Sequence, residues 1–319
     1  MPAAIRIPIA LTAGLLLLAA PVSAEDTADP STAVASDGTT ADPADLAATI
    51  DGDVVVATPP ADQPVADGSD PTPAEMKEGT PGDPHGAGVD SVVGEDERYQ
   101  TTPANWWPAS ATAQITRTVN GVVSAHCTGW LIGANTVVTA GHCVYPRDGA
   151  EWYPAAEFTV WPGRDGASTP YGSCGVTTLH SVLGWTRDFA DGWDYGAMKL
   201  NCTVGQNTGA FGFMWTDAVQ DGTATYNRGY GGDKPWGTQW ASYDQVRATK
   251  DRELFYWHDT AGGNSGGPVY TYANSTCGPC AIAVHAHGFH GESSPESDHN
   301  SGPRVTEAVY NNLVHWRDL

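Results

Sequence analysis

Three short stretches hold side chains whose types and spacing could do chemistry together: Thr139-Ala140-Gly141-His142-Cys143, Asp194-Tyr195-Gly196-Ala197-Met198-Lys199-Leu200 and Gly262-Gly263-Asn264-Ser265-Gly266-Gly267-Pro268. A serine hydroxyl is a poor nucleophile at neutral pH unless a base takes its proton as it attacks, and His142 is the candidate base. Asp194 would hold the imidazole in the right tautomer and stabilise the imidazolium without itself accepting a proton. The glycines around Ser265 would let the amides of Gly263 and Ser265 point at one spot, where a tetrahedral intermediate carries its negative oxygen. Losing one such donor typically costs ~3 kcal/mol of barrier. Taken singly, each stretch has a bland reading as a flexible turn, a strand-capping acid or a hydrogen-bonded histidine. The order His, Asp, Ser, with Cys127 fifteen residues before His142 and Cys143 directly after it, is what makes them specific together.

These groups need a frame, and the sequence supplies strands. Ala113 to Val119, Val122 to Ile132, Thr136 to Ala140, Phe158 to Trp161, Tyr195 to Leu200 and Ala281 to His285 are short, rich in Val, Ile, Thr and aromatics, and separated by Gly, Pro, Asn and Asp. That is the pattern of an all-β protein. Only Val305 to Trp316 has helical spacing, with Val305, Val309, Leu313 and Trp316 on one face, which predicts one C-terminal α-helix.

The chain of 319 residues divides unevenly. Arg6 followed by the apolar run Ile7 to Val22, with Val22-Ser23-Ala24 as small residues for cleavage, reads as a signal peptide over 1–24. No other stretch is long and apolar enough to span a bilayer as a helix. From 25 to 90 the chain is Asp, Ala, Pro, Thr and Gly without Cys or Trp, an acidic leader expected to be disordered because it cannot bury enough surface to fold alone. All twelve Trp and all six Cys fall in 91–319, a length that suits one two-barrel or sandwich domain. Residues 1–90 carry 15 acids against 2 bases and residues 91–319 carry 22 against 13, which makes up the net charge of -22. With no basic stripe, nucleic acid is not the expected partner. The even cysteine count behind a signal peptide makes disulfides expected, with fifteen connectivities open from sequence alone.

On these residues the chain resembles the chymotrypsin superfamily, and within it the secreted bacterial glutamyl endopeptidases, over essentially all of 91–319. The narrower resemblance lies in Ser91-Val92-Val93-Gly94 with Glu97-Arg98, in Asp259-Thr260 ahead of the nucleophile stretch, and in Ile282-Ala283-Val284-His285. It implies two six-stranded antiparallel β-barrels, a secreted serine endopeptidase acting as a monomer on polypeptides, and a mature start at Ser91, so that 25–90 is a propeptide. No cofactor and no metal are implied. The resemblance also implies a Cys127–Cys143 disulfide bracing the histidine loop, with Cys174–Cys202 and Cys277–Cys280 completing three. Asn264 departs from the wider superfamily, which places an Asp there to pair with the freed N-terminus.

In the glutamyl branch a histidine after the nucleophile and a threonine five residues before it bind the substrate carboxylate; the matching positions are His285 and Thr260, and cleavage before Ser91 would free an α-amino group expected to fold back near them and add positive charge. An imidazolium and a hydroxyl can both donate to a carboxylate. Against this stands Asp259, whose spacing of six before Ser265 would suit a pocket for Lys or Arg. His285, His287, His290 and His299 could be read as a metal cluster, but no completing Cys or carboxylate has a convincing spacing. A protease homologue that only binds is the rival from another class, disfavoured because no triad member is missing. The junction Asp90-Ser91 places an acidic residue before the bond to be broken, which predicts removal of the leader by the enzyme itself.

Overall fold

The Val- and Thr-rich runs of the body become strands because alternate side chains can be buried while the backbone pairs sideways. The computed structural model describes residues 27–63 and 90–319; the stretch read as a signal peptide and residues 64–89 of the leader lie outside the described residues. Thr112–Val119, Val122–Leu131, Thr136–Thr139, Phe158–Pro162, Cys174–Val182 and Gly196–Leu200 pair antiparallel in a ring, the last strand joining both Thr136–Thr139 and Cys174–Val182. This closed six-stranded barrel is filled by Ile115, Leu131, Val137, Val160, Leu179 and Met198, which the strand register places on one face and which are all fully buried. Its first hairpin turns at Asn120 and Gly121, both at positive φ, as a two-residue hairpin turn requires.

The second sheet runs in the order Asn300–Pro303, Glu253–Tyr256, Trp240–Thr249, Ala224–Gly229, Pro268–Thr271, Cys280–Val284. It curls into a half-barrel in which a bridge between Ala283 and Arg304 and a bond from Val305 N to the Ile282 carbonyl, 2.7 Å, tie the segment after Asn300–Pro303 to Cys280–Val284, and Gly212–Met214 continues the sheet beyond Cys280–Val284 in parallel. The fold is therefore mostly β, as expected. Several of its strands escaped the sequence pattern because their buried residues are polar. Asn227 and Arg228 are buried in Ala224–Gly229, with the Arg228 guanidinium held by Thr101, Gln239 and the Tyr270 hydroxyl. The C-terminal helix spans Glu307–Asp318, capped by the Thr306 hydroxyl, and buries the expected face of Val309, Leu313 and Trp316.

The expectation of a disordered leader is corrected for the part described. Ala33–Ala35 adds an edge strand to Cys174–Val182, Thr40–Ala41 folds back on it, and Val54–Val55 pairs with Gly212–Met214. Between them Asp42 caps a short helix, Pro43–Thr49, whose Pro43 suits the first helical position. This acidic, Ala- and Asp-rich segment has too little apolar surface for a core of its own. It orders by completing sheet edges already formed by the body.

The three disulfides are Cys127–Cys143, Cys174–Cys202 and Cys277–Cys280, with Cα–Cα distances of 6.3, 5.9 and 5.4 Å.

Candidate active site

His142 lies in a single turn of 3₁₀ helix, Gly141–Cys143, at the end of Thr136–Thr139; Asp194 ends a second such turn, just before Gly196–Leu200. Because Gly196 is the register partner of Thr139, the two strands bring both turns to the same barrel end. His142 Nδ1 is 2.8 Å from Asp194 Oδ2, and the His142 amide donates to Asp194 Oδ1 at 2.7 Å. Gly141 must be glycine, since a Cβ there would sit 2.8 Å from the Trp185 ring and 3.0 Å from Asp194 Oδ1. Asp194 is fully buried and His142 is partly open to solvent. Burial alone would push the imidazole pKa down, but the Asp194 carboxylate, by charge and hydrogen bond, overrides it and leaves it raised. Burial likewise pushes Asp194 up, and His142 more than offsets that, holding the carboxyl below its ordinary range.

The Ser265 loop is fixed from the first barrel. Thr128 N donates to the Ser265 carbonyl at 2.8 Å and Thr128 Oγ1 donates to the Gly263 carbonyl at 2.8 Å, while the same hydroxyl accepts from Tyr230 N at 3.0 Å. The Cys143 sulfur lies 3.9 Å from the Ser265 carbonyl oxygen, so the His142 turn and the Ser265 loop share a wall. Gly263 and Gly266 have φ of 103° and 86°, and a Cβ on Gly266 would come within 2.2 Å of the Thr128 carbonyl. Asn264 is buried; its side-chain oxygen accepts from Ala261 N at 3.3 Å, within its own loop. Ser265 itself is half-buried.

Ser91 and Thr260 are strand partners, and His285 is bonded to the Ser265 loop. Ser91 is the antiparallel partner of Thr260, its carbonyl accepts from Asn300 Nδ2 at 2.7 Å, and its hydroxyl accepts from Phe289 N at 3.2 Å. Asp90 pairs with Ala261 in the same short ladder. His285 exchanges backbone bonds with the Ser265 loop, donating to Gly267 O at 2.9 Å and accepting from Gly266 N at 2.6 Å. Its ring is buried with Nδ1 3.1 Å from the Tyr256 hydroxyl. Burial, with His287, His258 and His142 nearby, pushes His285 down to about 3, so its ring is neutral at ordinary pH and offers an N–H rather than a full charge.

Asp259 does something the sequence spacing did not suggest. Its carboxylate is fully buried and accepts from the amides of Val93, 2.9 Å, and Glu97, 2.8 Å, bracing the segment that follows Ser91.

The four late histidines do not form one cluster. His299 bonds Asp298 and packs on Trp257, His285 bonds Tyr256, and His290 Nε2 lies 3.8 Å from Asp191 Oδ2. His287, which sequence reasoning left without a role, faces the His142–Asp194 pair: its buried Nε2 is 3.4 Å from Asp194 Oδ2, and its ring centre is 6.5 Å from that of His142. His258, between Thr225 Oγ1 at 3.0 Å and the Tyr256 ring at 5.0 Å, is a second buried histidine behind His285 that no spacing had flagged.

A family described as "Trypsin-like peptidase domain" matches residues 127–278. The chain is 39% identical over 233 residues to a protein of Bacillus licheniformis named "Glutamyl endopeptidase", covering 72% of this chain and 70% of that one. It is also 39% identical over 228 residues to a Bacillus subtilis protein named "Extracellular metalloprotease", covering 71% and 69%. Among solved structures, a Glu endopeptidase in complex with MPD aligns with a TM-score of 0.61 at 24% identity, over 72% of this chain and all of that one. The protease Anisep from Arthrobacter nicotinovorans aligns with a TM-score of 0.54 at 21% identity, over 68% of this chain and 99% of that one. Among the described residues no helix is long and apolar enough to cross a membrane.

Proposed function

Because this chain belongs to the trypsin-like serine endopeptidases, in their glutamyl endopeptidase branch, we propose that it is secreted, that His142, Asp194 and Ser265 are its triad, and that it cleaves after Glu or Asp. Ser265 Oγ attacks the scissile carbonyl while His142 takes its proton, and His142 then gives that proton to the leaving amine. Water, activated by the same imidazole, releases the acyl group and restores the serine. The amides of Gly263 and Ser265 receive the oxyanion, and the Thr128 bonds that hold this loop keep it shaped for that task.

The acidic preference rests on one observation above all: Thr260 is paired with Ser91 while the neighbouring acid, Asp259, is committed to two backbone amides. A substrate carboxylate entering beside Thr260 and His285 would find donors, whereas a Lys or Arg side chain would find no carboxylate free to receive it. His285 is neutral in the empty pocket, so a full positive charge must come from elsewhere. A free α-amino group at Ser91, with a reference pKa of ~7.7 to 8.0, would supply it after cleavage of the Asp90–Ser91 bond. That bond has the acidic residue a glutamyl-type enzyme requires, so we infer that a molecule of this kind removes its own leader.

Peptides that differ only in the residue before the scissile bond test the specificity. Glu is expected to be cleaved roughly 10³-fold faster than Gln or Lys, because a site built to pair a carboxylate is left with unpaired groups by its analogues. His285→Ala is expected to erase the advantage. Faster cleavage after Lys would overturn the reading. For maturation, a Ser265→Ala precursor given a trace of active enzyme should release a chain beginning at Ser91, and an Asp90→Ala precursor should resist.

A further inference from the structure

Residues 27–63 lie along the body as a continuous belt, and the body is shaped for them. At one end Pro30 and Thr32 carbonyls accept from Gly184 N, 2.7 Å, and Leu183 N, 3.1 Å, and Ala33–Ala35 extends the closed barrel at Val182 and His180. In the middle Leu46, buried, lays the short helix on the C-terminal helix. At the other end Ala57 N donates to Cys277 O at 2.8 Å, Thr58 and Ala210 exchange bonds of 2.8 and 2.7 Å, and Gln63 bonds Trp107 N and Asn105 O. Where the belt crosses the second barrel, the body presents glycine. A Cβ on Gly212 would stand 2.6 Å from Val55 O, and one on Gly209 would stand 2.6 Å from Thr58 O.

The belt also grips the segment that positions the triad acid. Asn312 Nδ2 donates both to Ser31 O, 3.0 Å, and to the hydroxyl of Tyr195, the residue after Asp194, 2.8 Å. Gly184, held by Pro30, accepts in turn from Ala190 N at 3.1 Å, inside the loop that ends on Asp194.

We propose that the body 91–319 carries a docking surface for residues 27–63 of its own chain, and that this segment stays bound as a separate non-covalent chain after the connection between them is cut, clasping both barrels and steadying the Asp194 loop rather than plugging the cleft. The inference rests on the division of the chain proposed above. It is tested independently of self-processing by placing a recognition sequence for an unrelated, sequence-specific protease within residues 64–89 of the full chain.

With Ser265→Ala present, the cut pieces are expected to co-elute on size exclusion at the mass of the whole and to separate only in denaturant. With Ser265 intact, the cut complex is expected to turn over a short peptide as it does before any washing. Washing the segment away in mild urea should cost on the order of 10- to 10²-fold in kcat, the scale expected when a catalytic group shifts by about 1 Å. A synthetic 27–63 peptide added back should restore it, and the same peptide with Ala33→Arg, which forces a charge into a buried edge, should not. Two results overturn the proposal: separate elution of the segment while the body keeps its melting temperature, or a rise in turnover when the segment is removed, which would make it an inhibitor. Neither bears on cleavage after Asp90, because the engineered site does the cutting.

Discussion

Replacing Asp259 with alanine strips two backbone amides of one acceptor. A hydrogen bond to a charged group contributes ~1.5 to 3 kcal/mol, and a buried donor left alone loses all of it. Val93 is buried, so its amide has no water to turn to and should cost about 2.5 kcal/mol. Glu97 is exposed, so its amide can be partly rehydrated and should cost about 1 kcal/mol. Together the loss is about 3.5 kcal/mol, which for a domain of this size lowers the melting temperature by roughly 10 °C. Asparagine should recover less than half, because its amide nitrogen presents a donor to one of the two N–H groups. Since the braced segment begins beside the Ser91–Thr260 pairing, KM for Glu peptides should rise while Lys peptides stay poor substrates. Thermal unfolding is measured on a Ser265→Ala background to prevent self-digestion, and kinetics on matched peptides with the active serine. An unchanged melting temperature, together with loss of Lys cleavage alone, would refute the reasoning and make Asp259 a substrate-facing acid.

Two further outcomes follow from buried histidines. His287→Phe keeps the bulk beside Asp194 but removes the N–H, and should lower kcat about tenfold, or ~1.4 kcal/mol, with KM unchanged; His287→Gln, which keeps a donor, should recover most of the loss, and equal damage by both would assign His287 to packing alone. Burial pushes His126 and His180 down to about 4 and His285 to about 3. Between those values and the unfolded value of about 6.5 the unfolded chain binds more protons, so stability rises with pH and is lost on acidification, by ~1.4 kcal/mol per pH unit for each ring. Three rings give about 4 kcal/mol per unit near pH 5, partly opposed by His142, whose raised pKa works the other way. Urea midpoints of the Ser265→Ala protein should fall steeply from pH 6.5 to 5; a flat profile would refute the assignment.

The candidate triad could be read from sequence because proton transfer tolerates few residue types, and the three stretches carry them in an order that unrelated turns would not share. What brings His142 and Asp194 together, the register of Gly196 on Thr139, leaves no local mark, since register is set by pairing across more than fifty residues. Asp259 looked like a pocket residue because its partners are backbone amides, and amides have no residue type. The two-residue step from His285 to His287 reads as one shared strand face, but the strand stops at Val284, so alternation no longer says where each ring points. The leader was misjudged for a similar reason. Composition measures whether a segment can fold alone, and residues 27–63 use the body's edges instead. In the second barrel the buried Asn227, Arg228, Asn300 and Ser301 disguised two strands as loops.

Thr128 touches the Ser265 loop at Gly263 and Ser265 across sequence separations of well over a hundred residues, from a strand of the closed barrel. The loop that carries the hydroxyl is thus moulded by a neighbour that arrives only when the two halves dock. Contacts so distant along the chain form late, after their closure entropy has been met. A polypeptide with one sheet made and the other still loose would hold His142, Asp194 and Ser265 without the contacts from Thr128 that shape the Ser265 loop. Hydrolysis by this peptidase then becomes a property of completed assembly, belonging to the two sheets docked together and to neither one alone.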